Sequence, residues 1–210
     1  MISVAAGWFN DGGPFMWVIT VVLALACAVT FERIIFYYIT CRKSATVLVS
    51  LISSALDEKR KDRAFEYVNS GKSPSVILIR TALERFNSGM SMDEIRDGVE
   101  EIAIKQIPRY TRRLNYLSLF ANVATLLGLL GTISGLMLSF SSLAAVDSSQ
   151  KASMLADGIS QAMITTAFGL IVAVPCMVFY TFLFNKQTML IKDLDESIVR
   201  FVNYLKKQKC

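Results

Sequence analysis

Three long stretches without a single charged side chain constrain this chain more than any other feature. They run Gly12–Phe31, Leu114–Val146 and Gly158–Asn185. A helix that crosses a bilayer needs about 20 mostly apolar residues, and each stretch supplies them. Read instead as buried core helices of a soluble protein, three such lengths would leave this chain almost no soluble surface. Charged residues are 19% of the chain, below the roughly one quarter usual for a soluble domain. The first stretch does not read as a cleaved leader, which would open on a basic segment and be short. Met1–Phe31 holds no Lys or Arg, and the apolar pattern continues through Ile34, Ile35, Phe36, Tyr37 and Tyr38.

The basic residues set the expected orientation. Of 22 Lys and Arg, 14 lie between Cys41 and Asn115 and 6 follow Asn185, while Lys151 alone separates the second and third stretches. This places the N-terminus and the Asp147–Asp157 loop outside, and the large loop and C-terminus in the cytoplasm. The expected segments are 1–40 (outer N-terminus and first span), 41–113 (cytoplasmic helices), 114–146 (second span), 147–157 (short outer loop), 158–185 (third span) and 186–210 (C-terminal cytoplasmic helix). A formal charge of +5 fits basic loops against an anionic inner leaflet and requires no nucleic acid. Cys27, Cys41, Cys176 and Cys210 form no CxxC pair, and with no His in the chain neither a disulfide nor a zinc pattern is present.

The segment between the first two spans reads as helical. Val47, Leu48, Leu51, Ile52 and Leu56 recur at helix spacing. A second stretch, Ala64–Val68, stops at Asn69-Ser70-Gly71, with Pro74 just beyond. Val76–Phe86 is a third, ending near Asn87-Ser88-Gly89. Ser91 with Glu94 gives a capping-box signature for a fourth, which the pattern Ile95, Val99, Ile102, Ile107 carries toward Pro108. A helix bent at Pro108 and continuing to Val146 is expected, so that the membrane helices extend into the helical cytoplasmic region.

No enzymatic signature is present: without His there is no Ser-His-Asp arrangement and no HExxH, and no phosphate-binding loop or dinucleotide fingerprint appears. No cofactor and no metal are expected. What remains is polar residues inside the spans. At about 100° per residue, Ser118, Asn122, Thr125, Gly128, Thr132, Gly135 and Ser139 share one face of the second span. Gln161, Thr165, Gly169, Ala173 and Cys176 form a stripe on the third, flanked by Ala162 and Thr166. Two readings stay open. Small residues allow close helix approach, and Gly131–Gly135 is a GxxxG pair; alternatively hydroxyls and an amide line a wet or partner-facing lumen. Both hold if glycines pack while hydroxyls face the lumen. Neither span contains Asp, Glu, Lys, Arg or His, and proton carriage normally needs such an ionisable side chain. A proton-conducting reading therefore requires a carboxylate from another chain. Pro175 removes a backbone donor and should kink the third span near Ile171.

Several of these residues fall in a known pattern. Gly12-Gly13-Pro14 before the first helix, Glu32-Arg33 at its inner end, Gly128-Leu129-Leu130-Gly131-Thr132 with Gly135 and Ser139-Phe140, and Thr166-Ala167-Phe168-Gly169-Leu170 with Ala173-Val174-Pro175 together resemble the MotA/TolQ/ExbB family, most closely its ExbB/TolQ-type subunits. The resemblance implies an all-α integral membrane protein with three transmembrane helices in the bacterial inner membrane. It further implies a homopentamer around a single-span partner resembling ExbD, TolR or MotB, whose helix carries an Asp, and ion-driven rotation that powers an envelope process. By the same carry-over Thr132 and Thr166 line the ion pathway, with Gln161, Thr165, Ser139, Asn122 and Thr125 beside them, while Gly128, Gly131, Gly135, Gly169 and Pro175 shape helix packing. Such subunits usually carry Glu where this chain has Gln161, and commonly Pro where it has Thr125. A membrane scaffold without ion flux and a channel acting without a partner are the competing readings.

Overall fold

The computed structural model describes residues 12–41, 44–69, 71, 73–142 and 150–209, and the regular structure among them is all helical. The N-terminal residues before Gly12, Ser70 of the expected turn, residues 143–149 and Cys210 lie outside the described residues. So the end of the expected second span and the beginning of the outer loop are not characterised. Contacts divide the chain into two compact units: a membrane unit of residues up to Phe31 with Arg113–Phe182, and a polar unit of Glu32–Arg112 with Leu183–Cys210.

Three helices feed the membrane unit: α1 (Phe15–Ile35), α7 (Leu114–Ser142) and α8 (Lys151–Lys209). Each is long and apolar enough to cross a membrane. Helix is the natural state here, because it bonds every backbone group internally where no water can. On α1, Met16, Ile19, Val22 and Ala26 are buried at helix spacing, while Trp17, Val18, Val21 and Leu25 are exposed. That helix is apolar on both faces because of the solvent: lipid is as apolar as Leu, so large side chains lose nothing by facing it.

The polar unit is built from short helices whose ends are chemically capped. A π-helical turn, Phe36–Thr40, follows α1, and then come α2 (Ala45–Asp57), α3 (Lys61–Asn69), α4 (Pro74–Asn87), α5 (Met92–Gln106) and α6 (Pro108–Thr111). Pro74 sits in the first turn of α4 behind the Ser73 cap, and Ser91 and Glu94 form a complete capping box on α5. The core is apolar at helix spacing: Leu48, Val49 and Ile52 of α2, Leu78, Ile79 and Leu83 of α4, Ile95 of α5, and Leu194, Phe201 and Leu205 from the C-terminal part of α8. Asp193 of α8 supplies the cap that α2 lacks. Its Oδ2 accepts from Ser44 Oγ and Ala45 N, both at 2.8 Å, and its Oδ1 accepts from Thr46 Oγ1 at 2.6 Å. At the entry to the unit, Arg33 is buried and donates to the Arg109 carbonyl (3.2 Å), and Tyr37 donates to the Tyr110 carbonyl (2.6 Å). Cys41, Cys27 and Cys176 are free thiols. Burial pushes the Cys41 thiol up to about 11, so it stays protonated and inert.

Two expectations about helix boundaries are corrected. The helix expected to bend at Pro108 and run on is interrupted instead at Arg112–Arg113, where ψ is 135° and then φ is 63°. Pro108 opens the short α6, a position where its missing N–H costs nothing. Residues 151–157 of the loop expected at 147–157 belong to α8, which begins at Lys151 and runs unbroken through Pro175 to Lys209. The third span and the C-terminal helix are therefore one element.

Candidate functional site

The polar residues of the spans meet where α7 lies against α8 in the membrane unit. Contact there is close because side chains are absent. A Cβ on Gly169 would stand 2.7 Å from the Ala124 carbonyl oxygen and 3.1 Å from Gly128 Cα. One on Gly131 would stand 2.3 Å from Thr165 Cγ2. Gly135 lies against Ala162 and the Gly158 carbonyl in the same way. The small-residue stripes of the two helices thus cover one another inside a single chain.

Hydroxyls hold this contact together. Thr166 Oγ1 donates across the interface to the Gly128 carbonyl (2.9 Å). Thr165, 1% exposed, has its Oγ1 2.8 Å from the Gly12 carbonyl and 2.9 Å from its own helix's Gln161 carbonyl. Gln161 is half-buried, and its amide lies over Gly13, where a Cβ would meet Nε2 at 2.5 Å. Gly13 also takes φ +72°, a left-handed conformation that only glycine adopts freely. Gly13 is therefore required twice, by backbone and by space, to seat the start of α1 on α8.

The remaining residues separate by position. Ser139 is buried and donates to Gly135 (2.8 Å). Thr125 and Thr132 are half-buried at the edge of the α7 contact and donate within their own helix, to Ala121 (3.1 Å) and Leu129 (2.6 Å). Asn122 is exposed, and so is Pro175, which α8 accommodates without interruption. The glycines thus occupy the centre of the helix contact and Thr125, Thr132 and Asn122 its rim. A hydroxyl whose proton is committed to a backbone carbonyl presents only lone pairs outward. At the rim these lone pairs can accept from water or hydronium, or coordinate a small cation.

Near the start of α8 a cavity of about 510 Å³ opens in the same unit, lined by Leu138 and Ser139 of α7 and by Met154, Asp157, Gly158, Ser160 and Gln161 of α8. Sequence reasoning passed over Gly158 and Asp157. Gly158 continues the Ala162–Thr165–Gly169 stripe one turn earlier, a spacing that was legible. The Gly12 carbonyl as a partner of Thr165 was not, because nothing local pairs residues so distant in the chain.

Comparison with known proteins agrees with this architecture. The pattern of the MotA/TolQ/ExbB proton channel family matches residues 70–196, more than half of the chain. The chain is 27% identical over 175 residues to a protein of Methanothermobacter thermautotrophicus named as a homolog of the biopolymer transport protein ExbB, covering 83% of this chain and 61% of that relative. It is 27% identical over 161 residues to the biopolymer transport protein ExbB of Salmonella typhimurium, covering 73% of this chain and 64% of that protein. A shorter match, 42% over 73 residues, joins it to the biopolymer transport protein exbB1 of Vibrio cholerae, with 35% of this chain and 32% of the relative covered. The chain spans less than two thirds of the length of the Methanothermobacter and Salmonella relatives. With three apolar helices of spanning length, closely packed through glycine and threonine, this chain is a multi-pass membrane protein that belongs to the MotA/TolQ/ExbB proton channel family.

Proposed function

We propose that the chain is the channel and stator subunit of an ion-driven rotary motor, working without enzymatic chemistry of its own. One observation carries the reading: a proton-channel family member has a rim of hydroxyls and amides in its membrane unit, yet no Asp, Glu, Lys, Arg or His anywhere in its three charge-free spans. Ionisable groups within a bilayer are costly and therefore functional, so the titrating carboxylate belongs to a second protein. That partner is a single-span chain of the ExbD, TolR or MotB kind with an Asp at membrane depth, encircled by several copies of this subunit, five by family analogy. The assembly sits in a bacterial inner membrane. The Lys/Arg distribution supports an outward N-terminus and an inward polar unit. Thr132 and Thr166 stand beside the partner Asp, and the work goes to an envelope process such as uptake, envelope maintenance or motility.

Mild-detergent purification followed by native mass spectrometry tests this directly. The expected product is a homo-oligomer retaining one or more copies of a small single-span protein with an intramembrane Asp. In proteoliposomes that complex should pass protons or sodium down an imposed gradient, and replacing the partner's Asp by Asn should stop the flux. A stable monomer, or an oligomer with no partner and no flux, overturns the motor reading and leaves a scaffold.

A further inference from the structure

We propose that Asp157 is the fixed charge that gathers small monovalent cations, hydronium or sodium, at the outer mouth of the pathway. The inference rests on the ion-pathway reading given above, and it adds a residue and a role to it.

Asp157 and Gln161 are four residues apart on α8, so their side chains lie on one face, one turn from each other. Both line the 510 Å³ cavity, together with Ser139 and Ser160. The Ser139 hydroxyl donates its proton to the Gly135 carbonyl, so toward the cavity its oxygen offers lone pairs. The cavity thus gathers one carboxylate and several neutral oxygen acceptors, the donor set that suits a hard monovalent cation. Among the described residues no cation pairs with Asp157. Lys151, the only Lys or Arg between Asn115 and Lys186, does not line the cavity. Two blander roles fit poorly. α8 begins at Lys151, so Asp157 is past the first turn, where an acid gains from the helix dipole. It is exposed, so it is not packing the helix contact. A carboxylate at the lip of a cavity whose walls are otherwise neutral among the described residues raises the local cation concentration, and the effect decays with ionic strength.

The test uses the complex as purified, reconstituted in proteoliposomes, with ion flux followed by a pH-sensitive dye in one arm and a sodium-sensitive dye in the other. Choline chloride serves as the screening salt. At about 10 mM salt the Debye length is about 30 Å, and at 1 M it is about 3 Å. Asp157→Asn should lower flux of the carried ion roughly threefold to tenfold at low salt and converge on wild type at high salt. Asp157→Glu should stay near wild type at both. The double variant D157N/Q161E, which moves the carboxylate one turn inward, should recover the low-salt flux. Oligomer yield is measured for every variant, so a folding defect is seen as such. If D157N matches wild type at all salt concentrations, or loses flux equally at all of them with normal assembly, the assignment of Asp157 is overturned. If the wild-type complex passes neither ion, the pathway reading itself fails.

Discussion

The two units hold themselves together by opposite means. In the membrane unit the contact between α7 and α8 consists of missing side chains and hydroxyl bonds to backbone carbonyls, with Gly128, Gly131, Gly135 and Gly169 at its centre. In the polar unit the helices bury Leu, Ile, Val and Phe, and their ends are closed by Ser73, the Ser91–Glu94 box and the Asp193 carboxylate. The difference follows from the solvent. Water drives large apolar side chains inward at about 25 cal/mol per Å²; lipid gives no such drive, so close backbone approach and dispersion contacts must suffice. A contact made of backbone leaves no room for added volume. A contact made of side chains and caps yields gradually.

Substitution at Gly169 should break the comparison most visibly. Its Cβ would meet a backbone carbonyl and a backbone Cα, neither of which can rotate aside. Gly169→Ala should destabilise by about 1–3 kcal/mol, and Gly169→Leu by more. Thermal melting and oligomer yield in mild detergent would register both. By contrast Gly89, with open space around it, has no neighbour to displace. Its left-handed φ of +78° is then the whole penalty for Ala, about 1 kcal/mol.

Asp193 probes the other kind of contact. Burial alone would raise its pKa, but hydrogen bonds from the Thr46 and Ser44 hydroxyls and the Ala45 and Thr46 backbone hold it below the ordinary value. A depressed carboxylate contributes stability that is complete above the unfolded value, near 4, and is lost as pH falls through the lower folded value. Asp193→Ala should therefore cost about 1–2 kcal/mol at neutral pH, the range for losing a helix cap. The gap between variant and wild type should narrow as pH drops below about 4. Melting curves of the full-length protein at pH 7 and pH 3 check the sign; a gap that widens in acid would contradict this role for Asp193.

The same contrast governs what was legible in the sequence. The spans announce themselves because a long charge-free run suits a bilayer and little else, and Ser91 with Glu94, or Ser73 with Pro74, write helix starts into local chemistry. The break at Arg112–Arg113 carries no such mark, since neither Gly nor Pro occupies it and the left-handed residue there is an Arg. Within the candidate site, the glycine stripe was readable from spacing alone. Its division into a packed centre and a hydroxyl rim was not, because a helical wheel ranks residues by angle and cannot say which arc the neighbouring helix covers.

The smallest stability effect, and the sharpest functional one, belongs to the two threonines. Val is nearly isosteric with Thr, so Thr→Val removes a hydroxyl and little else. Thr166 donates across the contact to Gly128, so Thr166→Val should weaken packing by about 0.6 kcal/mol. Thr132 donates only to Leu129 within its own helix, and Thr132→Val should leave stability unchanged within a few tenths of a kcal/mol. Function should order them differently. If the Thr132 oxygen accepts from the carried ion, its water or the partner's carboxylic acid, it supplies a hydrogen bond to a charged group, about 1.5–3 kcal/mol. Its loss then lowers ion flux about tenfold or more, since roughly 1.36 kcal/mol is a factor of ten in rate. Thr132→Val should thus assemble as wild type and conduct poorly, with the double variant adding a small packing defect. Melting temperature, oligomer yield and proteoliposome flux measured on the same three preparations decide it. Full flux through Thr132→Val would assign that residue to helix geometry and leave the pathway to other atoms of the rim.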